Sequence, residues 1–353
     1  MNFLKKFLKL FGVHIIYGKI KQIYGKIKQF VLLIKKLIID YDSFYKDCFY
    51  YNKYKNIHQK DPCFYANKYG LVGQNAHDYI YNMLNKTYDD KEGFLIGRFG
   101  ATELRCIYNS VNRKLIIKKK IDFPNNFMLY YSGFFTATSS EEELKKYIED
   151  NLKLMENIDV LAQFNLYEFF FKKKLKNAKI IDLTDLEPFY VEKPWIRYLE
   201  GKKVLVIHPF KETILYQLSR KDLWLRKKEW LPDCSIEIIK AVQSLAGNKP
   251  EEFDRWYDAL QYMKNEIDKH EFDIALIGCG AYGILLGDYI KSLNKQAVVM
   301  GGATQLLFGI IGRRWEIEWG NYYTNNVFNE YWINPLDSNK IKNYKTIEDG
   351  CYW

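Results

Sequence analysis

Three runs of nearly continuous apolar sequence each end in a turn built from glycine or proline. Lys203-Val-Leu-Val-Ile-His-Pro-Phe210 ends at His208, Phe272-Asp-Ile-Ala-Leu-Ile277 opens onto Gly278-Cys-Gly-Ala-Tyr-Gly283, and Gln296-Ala-Val-Val-Met300 opens onto Gly301-Gly-Ala-Thr-Gln305. A strand exposed on one face alternates apolar and polar residues. A strand buried on both faces does not, and such strands belong to parallel sheets covered by helices on either side. A fourth run, Phe94-Leu-Ile96, leads through Gly97-Arg-Phe-Gly100 into a helical pattern carrying Leu104 and Ile107. Repetition of strand, tight turn and helix predicts an α/β fold, a Rossmann-like doubly wound and mostly parallel sheet.

With 353 residues the chain has room for one large α/β domain. We read four segments: a basic amphipathic helical arm over 1–40, a helical lead-in over 41–90, the catalytic-type α/β domain over 91–335, and a tail over 336–353. Within them a helix is expected from Asp78, another after Ser139-Ser-Glu-Glu-Glu143, and a third over Glu251–His270. Asp159–Ala162, Lys179–Leu183 and Ser235–Ile239 read as further strands, and Glu187–Trp195, bounded by Pro188 and Pro194, as a loop.

The net charge of +10 is not spread over the chain. Nine lysines and no acidic residue lie in residues 1–39, which leaves 44 basic against 43 acidic residues elsewhere. A neutral body disfavours nucleic acid as a partner. In the arm, Ile16, Ile20, Ile23, Ile27, Phe30, Ile34 and Leu37 form one helical stripe, and Ile16–Gln22 is repeated as Ile23–Gln29. Lysines interrupt the stripe too often for a membrane span. It suits a helix lying on the inner face of the cytoplasmic membrane, peripheral and cytoplasmic, a homodimeric coiled coil, or a solvated, partly ordered arm. The six cysteines, Cys48, Cys63, Cys106, Cys234, Cys279 and Cys351, show neither C-x-x-C spacing nor a zinc pattern, as befits a reducing cytosol.

The turns supply the candidate site. Gly278, Gly280, Tyr282 and Gly283 form a G-x-G-x-x-G between strand and helix, which either cradles a phosphate on backbone N–H groups or serves close packing. The next strand ends Val299-Met-Gly-Gly302 without the acid that would hold a ribose, which argues against NAD, FAD and S-adenosylmethionine. Gly301, Gly302 and Thr304 could frame a second anion-facing turn, Gln305 could read a hydroxyl or base edge, and Arg313 and Arg314 could hold phosphate. On the first turn, Gly97 and Gly100 allow the tight bend. Arg98 is placed to neutralise a diphosphate, Thr102 to cap the helix, and Glu103 to bind an ion, act as base or cap. His208 is either an acid/base or phosphate donor, or a hydrogen-bonded core residue.

Ile96-Gly-Arg-Phe-Gly-Ala-Thr-Glu103 resembles the Arg-Phe-Gly-Asp-Gly-Glu segment of the GT-D-fold glycosyltransferases. The likeness extends in order and spacing to the His208-Pro-Phe210, Gly278–Gly283 and Gly301–Gln305 segments, from about residue 90 to 320. It implies a nucleotide-sugar donor and a glycan or lipid-linked acceptor in bacterial surface polysaccharide or glycoprotein assembly. On this reading Glu103 and His208 are the catalytic candidates and the three turns supply the donor contacts. The family's Asp-x-Glu has Ala101 in place of its Asp here, so no protein metal site is assigned. If a divalent cation, manganese or magnesium, takes part, Glu103 is its protein ligand. An S-adenosylmethionine-dependent methyltransferase and a non-catalytic membrane-associated scaffold of polysaccharide assembly stand as alternatives.

Overall fold

The computed structural model describes residues 70–116, 125–136, 141–317 and 320–353. The basic arm, with the readings attached to it, and the lead-in through residue 69 lie outside the described residues.

Seven strands form one sheet: β1 (Phe94–Gly97), β2 (Val160–Gln163), β3 (Lys179–Asp182), β4 (Lys203–His208), β5 (Ser235–Lys240), β6 (Ile274–Ile277) and β7 (Gln296–Val299). Every pairing is parallel, in the order β3-β2-β1-β7-β6-β4-β5. This is a Rossmann-like α/β fold. The central strands β1, β4, β6 and β7 are buried along almost their whole length, which is why their sequences do not alternate.

Alternate strand residues feed two cores. Leu95, Leu161, Leu205, Ile207, Ala275, Ile277 and Val299 face one side. There they meet α2 (Ala101–Ile116), α4 (Glu141–Leu154), α6 (Trp256–Ile267) and α7 (Gly283–Ser292). Phe94, Ile96, Val160, Val204, Val206, Leu276 and Val298 face the other, covered by α1 (Gln74–Asp89), α5 (Lys211–Leu218) and the indoles of Trp195 and Trp224. α3 (Asn125–Ser132) stands above the sheet edge before α4. At Gly287 the chain of α7 comes so close that a Cβ would lie 2.7 Å from Leu95 Cδ1 and 2.9 Å from Val299 Cγ2.

Three boundaries differ from expectation. α1 begins at Gln74, four residues before Asp78, and so carries the buried Ala76 and His77. α6 begins at Trp256, which is fully buried, whereas Glu251–Arg255 precedes the helix and brings only Phe253 to the edge of the core. The Glu187–Trp195 loop is organised as short 3-10 turns, Pro188–Tyr190 and one starting at Trp195.

The topology places a cleft. From β4 the chain departs outward to β5; from β6 it departs inward to β7. These neighbours, paired Ile207 to Ile277, therefore send their connections opposite ways, leaving room above His208 and Gly278. Doubly wound sheets bind ligands at such a switch point, at the carboxyl ends of the strands.

Candidate functional site

A cavity of about 410 Å³ opens above the carboxyl ends of β1, β7, β6 and β4. It is lined by Arg98, Gly100, Thr102, Glu103, His208, Gly278, Gly280, Tyr282, Gly301, Gly302, Gln305 and Arg314, so the three turns and the His208 corner meet around one space.

β1 runs straight into Arg98, and α2 starts three residues later at Ala101. Thr102 therefore lies inside the first helical turn and is not the residue preceding it. Glu103 folds back over Gly100 so closely that a Cβ there would sit 1.8 Å from Oε2. Only 9% of Glu103 is exposed. Burial pushes its carboxyl above the usual range, while its own backbone N–H, the Ser132 hydroxyl and the Arg98 charge favour the ionised form.

The Arg98 guanidinium lies 5.8 Å from the Phe164 ring centroid and directly over Gly301. Gly301 has φ +65, the left-handed region, so glycine is required there by backbone and by contact. Among the described residues Arg98 makes no hydrogen bond or ion pair. A second buried carboxylate, Glu168, stands near it. Burial lifts this carboxyl to about 8, against the pull of the Asn165 and Phe164 amides and of Arg98. Those amides donate to Glu168 Oε2 at 3.1 and 3.2 Å, and Glu168 thereby fixes the segment that carries Phe164.

His208 is 2% exposed. Its Nδ1 accepts the Phe210 N–H at 3.0 Å, so the ring proton sits on Nε2. Burial lowers its pKa to about 3. The geometry thus makes His208 a neutral hydrogen-bond donor to the cavity; its one lone pair is already used, so it is not a proton acceptor. Gly278 packs against it, a Cβ there falling 2.7 Å from the imidazole Cδ2.

On the far wall Tyr282 stacks on Trp256, with centroids 4.3 Å apart and planes 5° from parallel. Its hydroxyl is 3.4 Å from Ser244 Oγ, which donates to Gly133 O at 2.6 Å. Gln305 Nε2 donates to Tyr352 O at 3.1 Å. Burial holds the Cys279 thiol protonated.

Four residues expected in the site lie off the cavity. Gly97 makes room for Ile284 and Gly283 for Val299, so both serve helix packing. Thr304 is fully buried and donates to Ile277 O at 3.3 Å. Arg313 points outward and donates to Asp349 O at 2.9 Å, whereas Arg314 faces inward.

From the C-terminal tail, Ile347, Glu348, Tyr352 and Trp353 wall the cavity. Trp353 is held by Asn339 O through Nε1 at 3.1 Å and by the Phe210 ring. No local signal marks these residues, since they reach the site only through tertiary packing. Glu168 did have one: Asn165-Leu-Tyr-Glu168 has the spacing of a capping box, which forms.

Among the described residues no group of three or more His, Cys, Asp or Glu side chains is arranged to hold a metal ion. In the cavity Glu103 is buried and Glu348 is paired with Arg314. A divalent cation held here by Glu103 would need substrate phosphates and water to complete its oxygen ligands. Nor is any described helix long and apolar enough to cross a membrane. No family model, curated protein or solved structure matches this chain.

Proposed function

We propose that this chain is a glycosyltransferase that takes its sugar from a nucleoside-diphosphate donor bound in the cavity. One observation carries the reading: a guanidinium, Arg98, without an ion pair among the described residues, is held over Gly301 at the carboxyl edge of the sheet, beside the buried carboxyl of Glu103. A cationic group kept unpaired in a cavity is suited to an anionic ligand.

In this reading the diphosphate lies on Arg98 and on the Nε2–H of His208, with the aromatic wall of Phe164, Tyr282 and Tyr352 beside base and sugar. As the acceptor oxygen bonds to the anomeric carbon, the bond from that carbon to the diphosphate oxygen breaks and the electron pair leaves with the phosphate. Arg98 and His208 stabilise that charge in a site screened from water. Glu103 takes the acceptor's proton; burial raises its basicity toward what a general base at neutral pH needs. A glycan or lipid-linked acceptor fits the resemblance, and the basic arm would hold the enzyme at the cytoplasmic membrane face.

Calorimetric titration with nucleoside diphosphates, nucleotide sugars and S-adenosylmethionine tests this. Binding by the first two, lost in Arg98→Ala, is expected. Binding of S-adenosylmethionine alone, or of a nucleotide equally well to Arg98→Ala, would overturn it.

A further inference from the structure

On the reading that the cavity takes a nucleoside diphosphate, we propose that Arg314 is a second phosphate contact and that Glu348 is the carboxylate the phosphate displaces. The C-terminal segment 347–353 then acts as a latch exchanged by the ligand.

Arg314 and Glu348 line the same cavity and are ion-paired. The Arg314 guanidinium lies 5.1 Å from the Tyr352 ring centroid. The segment that brings Glu348 there is hung on its neighbours by main-chain carbonyls. Cys351 O accepts from Arg314 N at 3.1 Å, Asp349 O from Arg313 at 2.9 Å, and Tyr352 O from Gln305 at 3.1 Å. Arg313 is thus tied to the segment outside, and Arg314 alone of the two faces the ligand space.

The backbone between these anchors is unusual. Glu348, Asp349 and Gly350 lie consecutively in the left-handed region, at φ 45, 55 and 81. Two adjacent non-glycine residues there are costly unless the surroundings hold them, and such strain collects at clamps and switches. Here it aims the Glu348 carboxylate at Arg314.

The pair itself is poorly protected. The Glu348 side chain is 56% exposed and that of Arg314 25%. Ion pairs so open to water contribute little. A phosphate brings more negative charge and can take the guanidinium by two parallel hydrogen bonds. Exchange of carboxylate for phosphate therefore costs little.

The test is calorimetric titration of inorganic pyrophosphate into the full chain, with thermal melting to verify folding. Glu348→Gln is expected to tighten binding about 3–5-fold, as loss of a competing ion pair allows. Arg314→Gln is expected to weaken it about 10-fold. In the Arg314→Gln background, Glu348→Gln should change affinity less than about 2-fold, because nothing is left to release. Glu348→Ala and Arg314→Lys repeat the comparison if either first variant melts early. A silent Glu348→Gln overturns the latch. So does the same tightening in both backgrounds, which would mean general charge repulsion. If Arg98→Ala abolishes binding while Glu348→Gln is silent, the latch falls and the nucleotide reading stands. If wild type binds no pyrophosphate, or Arg98→Ala binds it unchanged, both fall.

Discussion

The guanidinium of Arg98 occupies the space in which a side chain on residue 301 would begin: a Cβ on Gly301 would lie 1.5 Å from one of its nitrogens. The first and third turns of the sheet edge are thereby interlocked, 203 residues apart in sequence.

Gly301→Ala should therefore do two separable things. The left-handed backbone alone costs an alanine about 1 kcal/mol, read as a lowered melting temperature. Displacement of Arg98 should weaken pyrophosphate binding about tenfold or more. In an Arg98→Ala background the second effect should vanish while the first remains. Additive losses of affinity would show that Gly301 acts on the ligand by another route.

Arg98→Ala and Glu103→Gln should both remove most transfer activity, by about 100-fold or more, with secondary structure retained. They should differ in binding. Arg98→Ala loses nucleotide affinity, whereas Glu103→Gln keeps it, since the proposed work of Glu103 is on the acceptor. Equal loss of nucleotide affinity in both would place Glu103 on the donor instead.

His208 should be replaceable by a neutral donor of similar reach. Its Nδ1 already accepts the Phe210 amide and its pKa is held at about 3, so it contributes an N–H and no titration near neutrality. His208→Gln is expected to hold nucleotide affinity within about 3-fold of wild type, and His208→Ala to lose about tenfold. An activity limb near pH 6.5 that disappears in His208→Gln would contradict the neutral-donor role.

Which of these relationships could be read before the fold was known depends on how far apart the partners lie. Gly100 and Glu103 are one helical turn apart, and Gly278–Gly283 is one continuous turn, so their local roles were legible from spacing. Strands β4, β6 and β7 were legible because burial on both faces removes alternation. Strand order was not: nothing local says that β7 lies against β1 or that β6 comes between β7 and β4. Arg313 and Arg314 read alike as a pair, and only about 100° of helical rotation sends one outward and one inward. Tyr352 and Trp353 reached the cavity through contacts with Gly302 and Phe210, more than forty residues distant, and carry no motif at all.

Glu168 provides a pH prediction whose sign is fixed by burial. Its carboxyl rises from 4.5 to about 8 on folding, so the folded chain holds this proton more tightly than the unfolded chain. Stability from this group is fully present below pH 4.5 and is lost as pH rises through 8. His208 and His77, lowered to about 3 and about 4, act oppositely: their share is present above pH 6.5 and is lost as pH falls toward those values. Glu168→Gln cannot titrate. Relative to wild type it should therefore gain stability, on the order of a few kcal/mol, between pH 4.5 and 8 in urea melts. A constant difference across that range would mean that Glu168 is ionised in the folded protein.

The arm gives the last prediction, which rests on sequence alone. Residues 1–39 hold nine lysines, no acid and a continuous apolar stripe from Ile16 to Leu37. Each lysine near an anionic surface is worth roughly 1 kcal/mol, and the stripe adds apolar burial at the head-group boundary. Full-length protein should co-sediment with vesicles containing anionic lipid, release in high salt, and ignore neutral vesicles. A chain beginning at Asp40 should not bind either kind, yet should retain transfer to a soluble acceptor analogue. Gly18 and Gly25 each weaken an isolated helix by about 1 kcal/mol, so the arm should gain helical circular dichroism only when the anionic vesicles are added. The same stripe could instead bury itself against a second copy. In that case the full-length chain would sediment as a dimer without lipid, the shortened chain as a monomer, and the vesicles would make no difference to either.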